Sequence, residues 1–223
     1  MDDLKSEKEQ IEEIRAWWSK YYLAVLAGVA VAIGAMLGFN YYKDAKFAQQ
    51  VAASELFEQL AEHVGAGNLD AAESVASDLV SEYPGTVYAA QSRLAMARLY
   101  MDKNRDQDAV DTLNELLLMR GGEDLRGVAR LRLARVLLYQ EKAQQVIELL
   151  QAADDPAFAG LYDEVRGDAY RLLGDYSSAA EAYRRAMADP SSNSVIDRPL
   201  IQMKLVDLPE TVATTVAEDG ETE

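Results

Sequence analysis

Residues 165–190 read VRGDAYRLLGDYSSAAEAYRRAMADP. Two runs with helical spacing flank a break at Gly174-Asp175-Tyr176. Gly167 and Ala179 are small where two antiparallel helices would cross, and Tyr170 and Tyr183 are large enough to fill the space beside them. The same shape recurs upstream. The stretches GAGNLDAAE (65–73), DKNRDQDAV (102–110), YQEKAQQVI (139–147) and LGDYSSAAE (173–181) put Ala72, Ala109, Val146 and Ala179 in equivalent places, at separations of 37, 37 and 33 residues.

A helix–turn–helix unit repeating every ~34 residues is the mark of tetratricopeptide repeats. The last unit resembles that consensus at Gly167, Tyr170, Gly174-Asp175-Tyr176, Ala179, Tyr183, Ala186 and Pro190. The 97–119 unit keeps Ala97, Tyr100, Ala109 and Leu113. The 134–153 unit keeps Ala134, Leu137, Leu150 and Ala153, but Val146 replaces the usual alanine and its turn lacks glycine. The first unit departs most: His63 stands where an aromatic is common, although Ala72 and Pro84 fit. Apolar residues step at helical intervals through Leu56, Leu60 and Val64; Val75, Leu79 and Tyr83; Leu94, Ala97 and Met101; and Leu133, Val136 and Leu137. Residues 191–199, SSNSVIDRP, read as a loop. A short helix within 199–208 is expected to cap the stack through Leu200, Met203, Leu205 and Leu208. Residues 209–223 hold five acids and no base, and are expected to be disordered.

The other strong local pattern is the uncharged run Tyr21–Tyr42, YYLAVLAGVAVAIGAMLGFNYY. As a helix it spans ~33 Å, against a hydrocarbon core of ~30 Å. Trp17, Trp18, Tyr21 and Tyr22 flank one end, and Phe39, Tyr41 and Tyr42 the other, as at two membrane interfaces. A cleaved signal peptide fits less well, because acids outnumber bases ahead of the run and no small-x-small site precedes Tyr41. Lys5, Lys8, Arg15 and Lys20 on one flank outweigh Lys43 and Lys46 on the other. That asymmetry orients 1–20 to the cytoplasm and the 43–208 domain across the membrane. Gly34 and Gly38, with Ala30 one step earlier, form a small-residue face that permits close helix contact; such spacing also arises by chance in membrane helices. The expected fold class is therefore all-α: a single transmembrane helix, then a tetratricopeptide-like solenoid.

Composition narrows the chemistry. The chain has 223 residues, a net charge of −16, no cysteine and one histidine. Thiolate and multi-histidine metal sites, disulfides and acyl-cysteine anchors are excluded. A charge this negative disfavours nucleic acid. Phosphate-loop, dinucleotide, zinc-protease and nucleophile-elbow motifs are missing. Gly121-Gly122 reads as a turn and His63 as a helix-face residue. No enzyme activity and no cofactor are expected. Recognition remains: the inner face of the stack would carry Arg98, Met101, Arg135, Leu138, Tyr139 and Arg171. Arginines among apolar side chains suit an extended peptide. They equally suit pairing with neighbours such as Asp102 and Asp168.

The order of IEEIRAWWSKYY (11–22), the apolar span, LRLARVLLYQ (131–140), EVRGDAYRLLGDYSSAAEAYRRA (164–186) and IQMKLVDL (201–208) resembles the YfgM family. These are ancillary subunits of the SecYEG translocon. The likeness covers 5–208, leaving the acidic tail as an addition. It implies anchoring in the inner membrane of a Gram-negative bacterium with the repeat domain in the periplasm. It also implies contact with SecYEG, with a PpiD-like periplasmic chaperone and with unfolded secretory polypeptides, and no catalytic residues. Two other readings stay open: a scaffold in a division or wall-synthesis complex, and a membrane-tethered signalling regulator.

Overall fold

The computed structural model describes residues 7–189 and 196–209. Most of the expected loop after Pro190, and the tail beyond Pro209, lie outside the described residues. Every regular element among the described residues is helical. α1 is Glu7–Gly65, α2 Leu69–Glu82, α3 Val87–Asp102, α4 Asp106–Leu118, α5 Arg126–Tyr139, α6 Ala143–Gln151, α7 Ala159–Leu172, α8 Tyr176–Ala188 and α9 Arg198–Val206. Short 3-10 turns precede α5 and α7. The chain divides into two compact units between Val51 and Ala52.

The first unit is the greater part of α1. It is the one described helix long and apolar enough to cross a membrane, and none of its most apolar window is buried. Aromatic rings at both ends of the span are exposed, among them Trp17, Trp18, Tyr41 and Tyr42. Lys20 lies 5.3 Å from the ring centre of Tyr21, and Lys43 lies 5.8 Å from that of Phe39. An ammonium thus sits over a ring at each end of the apolar stretch. Space beside Gly34 and Gly38 is open.

In the second unit the end of α1 pairs with α2, α3 with α4, α5 with α6, and α7 with α8. From α2 to α9 each helix packs on the next in chain order, and α5 also touches α7. One cluster joins Ala53 and Leu60 of α1 to Ala72, Ala76 and Leu79 of α2 and to Met96 and Leu99 of α3. The most divergent unit by sequence is thus a full helix pair. Ala72, Ala109, Val146 and Ala179 are all wholly buried. A small or β-branched side chain at this place lets the second helix lie close against the first.

The four turns share one backbone solution. Gly67, Asn104, Glu141 and Gly174 each have positive φ, between 58° and 78°. Each next residue donates its backbone N–H five positions back: Asn68 to His63, Arg105 to Tyr100, Lys142 to Leu137 and Asp175 to Tyr170, at 2.8–3.0 Å. This is the Schellman closure, in which a left-handed residue satisfies carbonyls at the end of one helix and launches the next. Two units use glycine there and two do not. At Glu141 a side chain occupies the left-handed region at φ 58°.

At the α7–α8 crossing, a Cβ on Gly167 would collide with Cε1 of Tyr183. Tyr183 is fully buried, so its ring is packed onto the bare backbone of α7.

α9 packs against α8. Its buried side chain is Ile201, with Leu208 just beyond; Leu200 and Met203 are 38% and 58% exposed. The expected packing set therefore needs correcting. Proline at the first turn and the Asp197 cap, which accepts from Leu200 N–H at 3.1 Å, set the helix start, and that phase turns Ile201 inward.

Replacing Glu141 by glycine removes ~1–2 kcal/mol of left-handed strain against ~0.4–1 kcal/mol of added unfolded-state entropy. The expected net gain is about 0.5–1 kcal/mol, seen as an apparent Tm higher by a few degrees in thermal unfolding. Gly167→Ala is expected to cost about 1–3 kcal/mol by overpacking, lowering Tm in the same assay.

Candidate docking site

A cleft of about 300 Å³ opens between α3, α4 and α5. Ala97, Arg98 and Met101 come from α3, Leu113 from α4, and Arg132, Arg135 and Val136 from α5. The helix repeat explains the grouping. Met101 lies three residues from Arg98 and four from Ala97, and Arg132 lies three from Arg135 and four from Val136, so each set shares a helix face. Ala97 is buried, and its small size leaves room between the two first helices of successive units.

Three of the six expected groove residues, Arg98, Met101 and Arg135, thus meet at one opening. The other three lie outside it. Leu138 is half-buried against the core. Tyr139 projects into solvent, 67% exposed. Arg171 is exposed and lies beside the Tyr183 phenol, where its charge favours the ionised form. Sequence reasoning missed Arg132 and Leu113. Arg132 was findable from its i,i+3 relation to Arg135, whereas Leu113 belongs to a second helix, and only packing brings it to the cleft floor.

Ion pairing sorts the arginines. Arg98 Nε is 3.9 Å from Asp102 Oδ2, with both side chains mostly exposed. Such a pair contributes little. Arg132 donates to the Leu94 carbonyl at 3.3 Å. Arg105, by contrast, is closed by Asp108 at 2.6 Å and Glu73 at 2.7 Å and lies over the Tyr100 ring. There burial, then the Glu73 carboxylate, push the Tyr100 phenol up to about 12.

The far end of the stack is closed. Lys204 of α9 reaches Asp168 at 2.8 Å and Glu164 at 3.1 Å, both on α7. Tyr183 donates to Asp168 at 2.7 Å. Burial first, then this bond to a carboxylate, raises the Tyr183 pKa. All three side chains of the Lys204 cluster are at most 22% exposed, so removing the ammonium leaves two crowded carboxylates. Asp168, named beforehand as an arginine partner, is held by Lys204 and Tyr183. Among the described residues, no group of three His, Cys, Asp or Glu side chains is placed to hold a metal ion.

Antiparallel helix pairs stacked in register, with an open cleft between successive first helices, define a helical-repeat scaffold. The chain belongs to the tetratricopeptide repeat-like domain family, whose model matches residues 15–210. It is 25% identical over 208 residues to the Ancillary SecYEG translocon subunit of Escherichia coli (strain K12), covering 93% of this chain and 99% of that protein. It is 27% identical over 203 residues to the protein of the same name from Neisseria gonorrhoeae, covering 89% and 95%. A solved structure titled MamA RS-1 ArsTM double mutant shares the fold at 14% identity. Its TM-score is 0.50, over 77% of this chain and 97% of that one.

Lys204→Met should destabilise the cap by about 1–3 kcal/mol, because it strands partly buried carboxylates. Hydrogen exchange of the 198–206 amides is expected to rise well before that of α3–α6.

Proposed function

We propose that this protein is a membrane-anchored ancillary subunit of a SecYEG-type translocon. Its repeat domain lies on the periplasmic side and acts by binding rather than by catalysis. The carrying observation is the likeness, over about nine-tenths of the chain, to proteins named for that role. It is joined to a helix long and apolar enough to cross a membrane, whose most apolar stretch is wholly unburied. In water that surface would be a large unfavourable exposure; in lipid it is at home.

The lysine and arginine asymmetry across the span supports a cytoplasmic N-terminus. The face bearing Ala30, Gly34 and Gly38 is where a channel helix approaches. The groove side of the repeats, around Arg98, Met101 and Arg135, holds a periplasmic chaperone or an emerging secretory polypeptide. Anchoring makes that second contact effectively intramolecular, so a weak groove suffices beside the channel.

Alkaline phosphatase fused after Glu223 should be active in cells, and mild-detergent purification should recover SecYEG. Gly34→Leu is expected to lower that recovery without changing thermal unfolding of the repeat domain. An inactive fusion, or recovery of division or wall-synthesis enzymes in place of the channel, would overturn the reading.

A further inference from the structure

Arg98, Arg132 and Arg135 stand around one apolar cleft in a chain of net charge −16. No carboxylate lines that cleft; its remaining surface comes from Met101, Leu113, Val136 and Ala97. Local charge is therefore reversed relative to the chain as a whole. The guanidinium donors are also largely unspent. Arg98 has only the 3.9 Å approach to Asp102, and Arg132 spends one N–H on a backbone carbonyl. No ion pair among the described residues engages Arg135. A guanidinium offers five N–H groups, so most of the rim's donors face outward. By contrast, Arg93, Arg105 and Arg166 are each closed by a carboxylate at 2.6–2.9 Å.

We propose that this cleft binds an extended segment of a partner protein in which a large apolar side chain is flanked by carboxylates. The proposal rests on the docking reading above and gives that site its ligand chemistry. A volume of about 300 Å³ lies at the small end of ligand pockets. It takes one or two side chains, not a folded surface. Leu, Met or Phe reaches the floor formed by Leu113 and Val136 while Arg98 and Arg135 fork to acids on either side. Each exposed arginine contributes weakly, ~0.2–1 kcal/mol, so selectivity comes from several acting together and is sensitive to salt. The chain's own negative field opposes a polyacid, which restricts the acids to those next to the anchor. The acidic stretch 210–223 of this chain has the right charge, but its largest apolar side chains are Val212 and Val216, too short to fill the cleft. A partner segment is the better occupant.

The test uses the full chain in detergent micelles and fluorescence anisotropy of short labelled peptides. One has a central Leu-Phe pair flanked by Asp and Glu, one has the same pair flanked by Lys, and one has acidic flanks around Ser-Ser. The first should bind at least tenfold more tightly than the other two, and several-fold less tightly as salt rises from about 50 to about 300 mM, where screening shortens. The double variant Arg98→Gln and Arg135→Gln should weaken it about tenfold. Met101→Gln should weaken it comparably, with circular dichroism and Tm showing an intact fold in both variants. Four results would overturn the proposal: equal binding of the lysine-flanked peptide, no binding of any peptide, folded arginine variants that bind as the parent does, or affinity rising tenfold when 210–223 is deleted. The last would give the cleft to the chain's own terminus. Neither a translocon nor a membrane orientation enters this assay, so its failure leaves the translocon reading standing. A failed fusion or co-purification likewise leaves the peptide result standing.

Discussion

Each helix pair must reverse direction within three residues, and that reversal passes through a left-handed backbone. At residues 67, 104, 141 and 174 the chain takes this conformation, and the following N–H closes onto a carbonyl five residues earlier. The closure satisfies carbonyls that the end of the first helix leaves without an intrahelical partner. It also sets the phase of the second helix, bringing Ala72, Ala109, Val146 and Ala179 against the first. Small side chains at those contacts then let one unit stack on the next, and stacking creates both the continuous core and the cleft between units. Glycine is the least costly residue at the reversal, yet the chain tolerates asparagine and glutamate at two of the four. Their strain of a kcal/mol or two is small beside what burying several leucines returns.

Two sorts of apolar surface occur in this protein, and they are handled differently. In the repeats, apolar side chains are divided between helix faces and covered by neighbouring helices. In the span they run around the whole helix and remain uncovered. The first pattern is a solution for water and the second for lipid. Charge follows the same division of labour. Carboxylates dominate the chain, and most of the arginines they meet are closed into pairs. At one end Lys204 binds two carboxylates of α7 and fastens α9 over the last repeat. Around the α3–α5 cleft three arginines gather with no acid among the lining residues.

Much of this was legible in the residues. Repeat spacing located all four turns, and Gly167 announced a close crossing that the contact with Tyr183 bears out. Helical steps named the faces that become buried, including Leu60, Leu79, Leu133 and Leu137. Expectation diverged from geometry at the cap and in the groove. Leu200 and Met203 look as suitable for packing as Ile201, because hydropathy carries no phase once a helix is only nine residues long. Arg171 shares the spacing of the other groove arginines, but its neighbours are Tyr183 and a helix already sealed by α9.

Period, composition and the uncharged run were enough to outline the kind of molecule: a helix long and apolar enough to cross a membrane, followed by paired repeats. These features are local, governed by backbone geometry and by the transfer of side chains out of water, and they can be read along the chain without knowing what touches what. Which arginines keep free donors depended on side chains many residues apart. Arg132 meets the cleft beside Arg98, and Lys204 rather than an arginine takes Asp168. Electrostatic pairing falls off over a few ångströms, so distance in space decides it, and only the stacked helices set that distance.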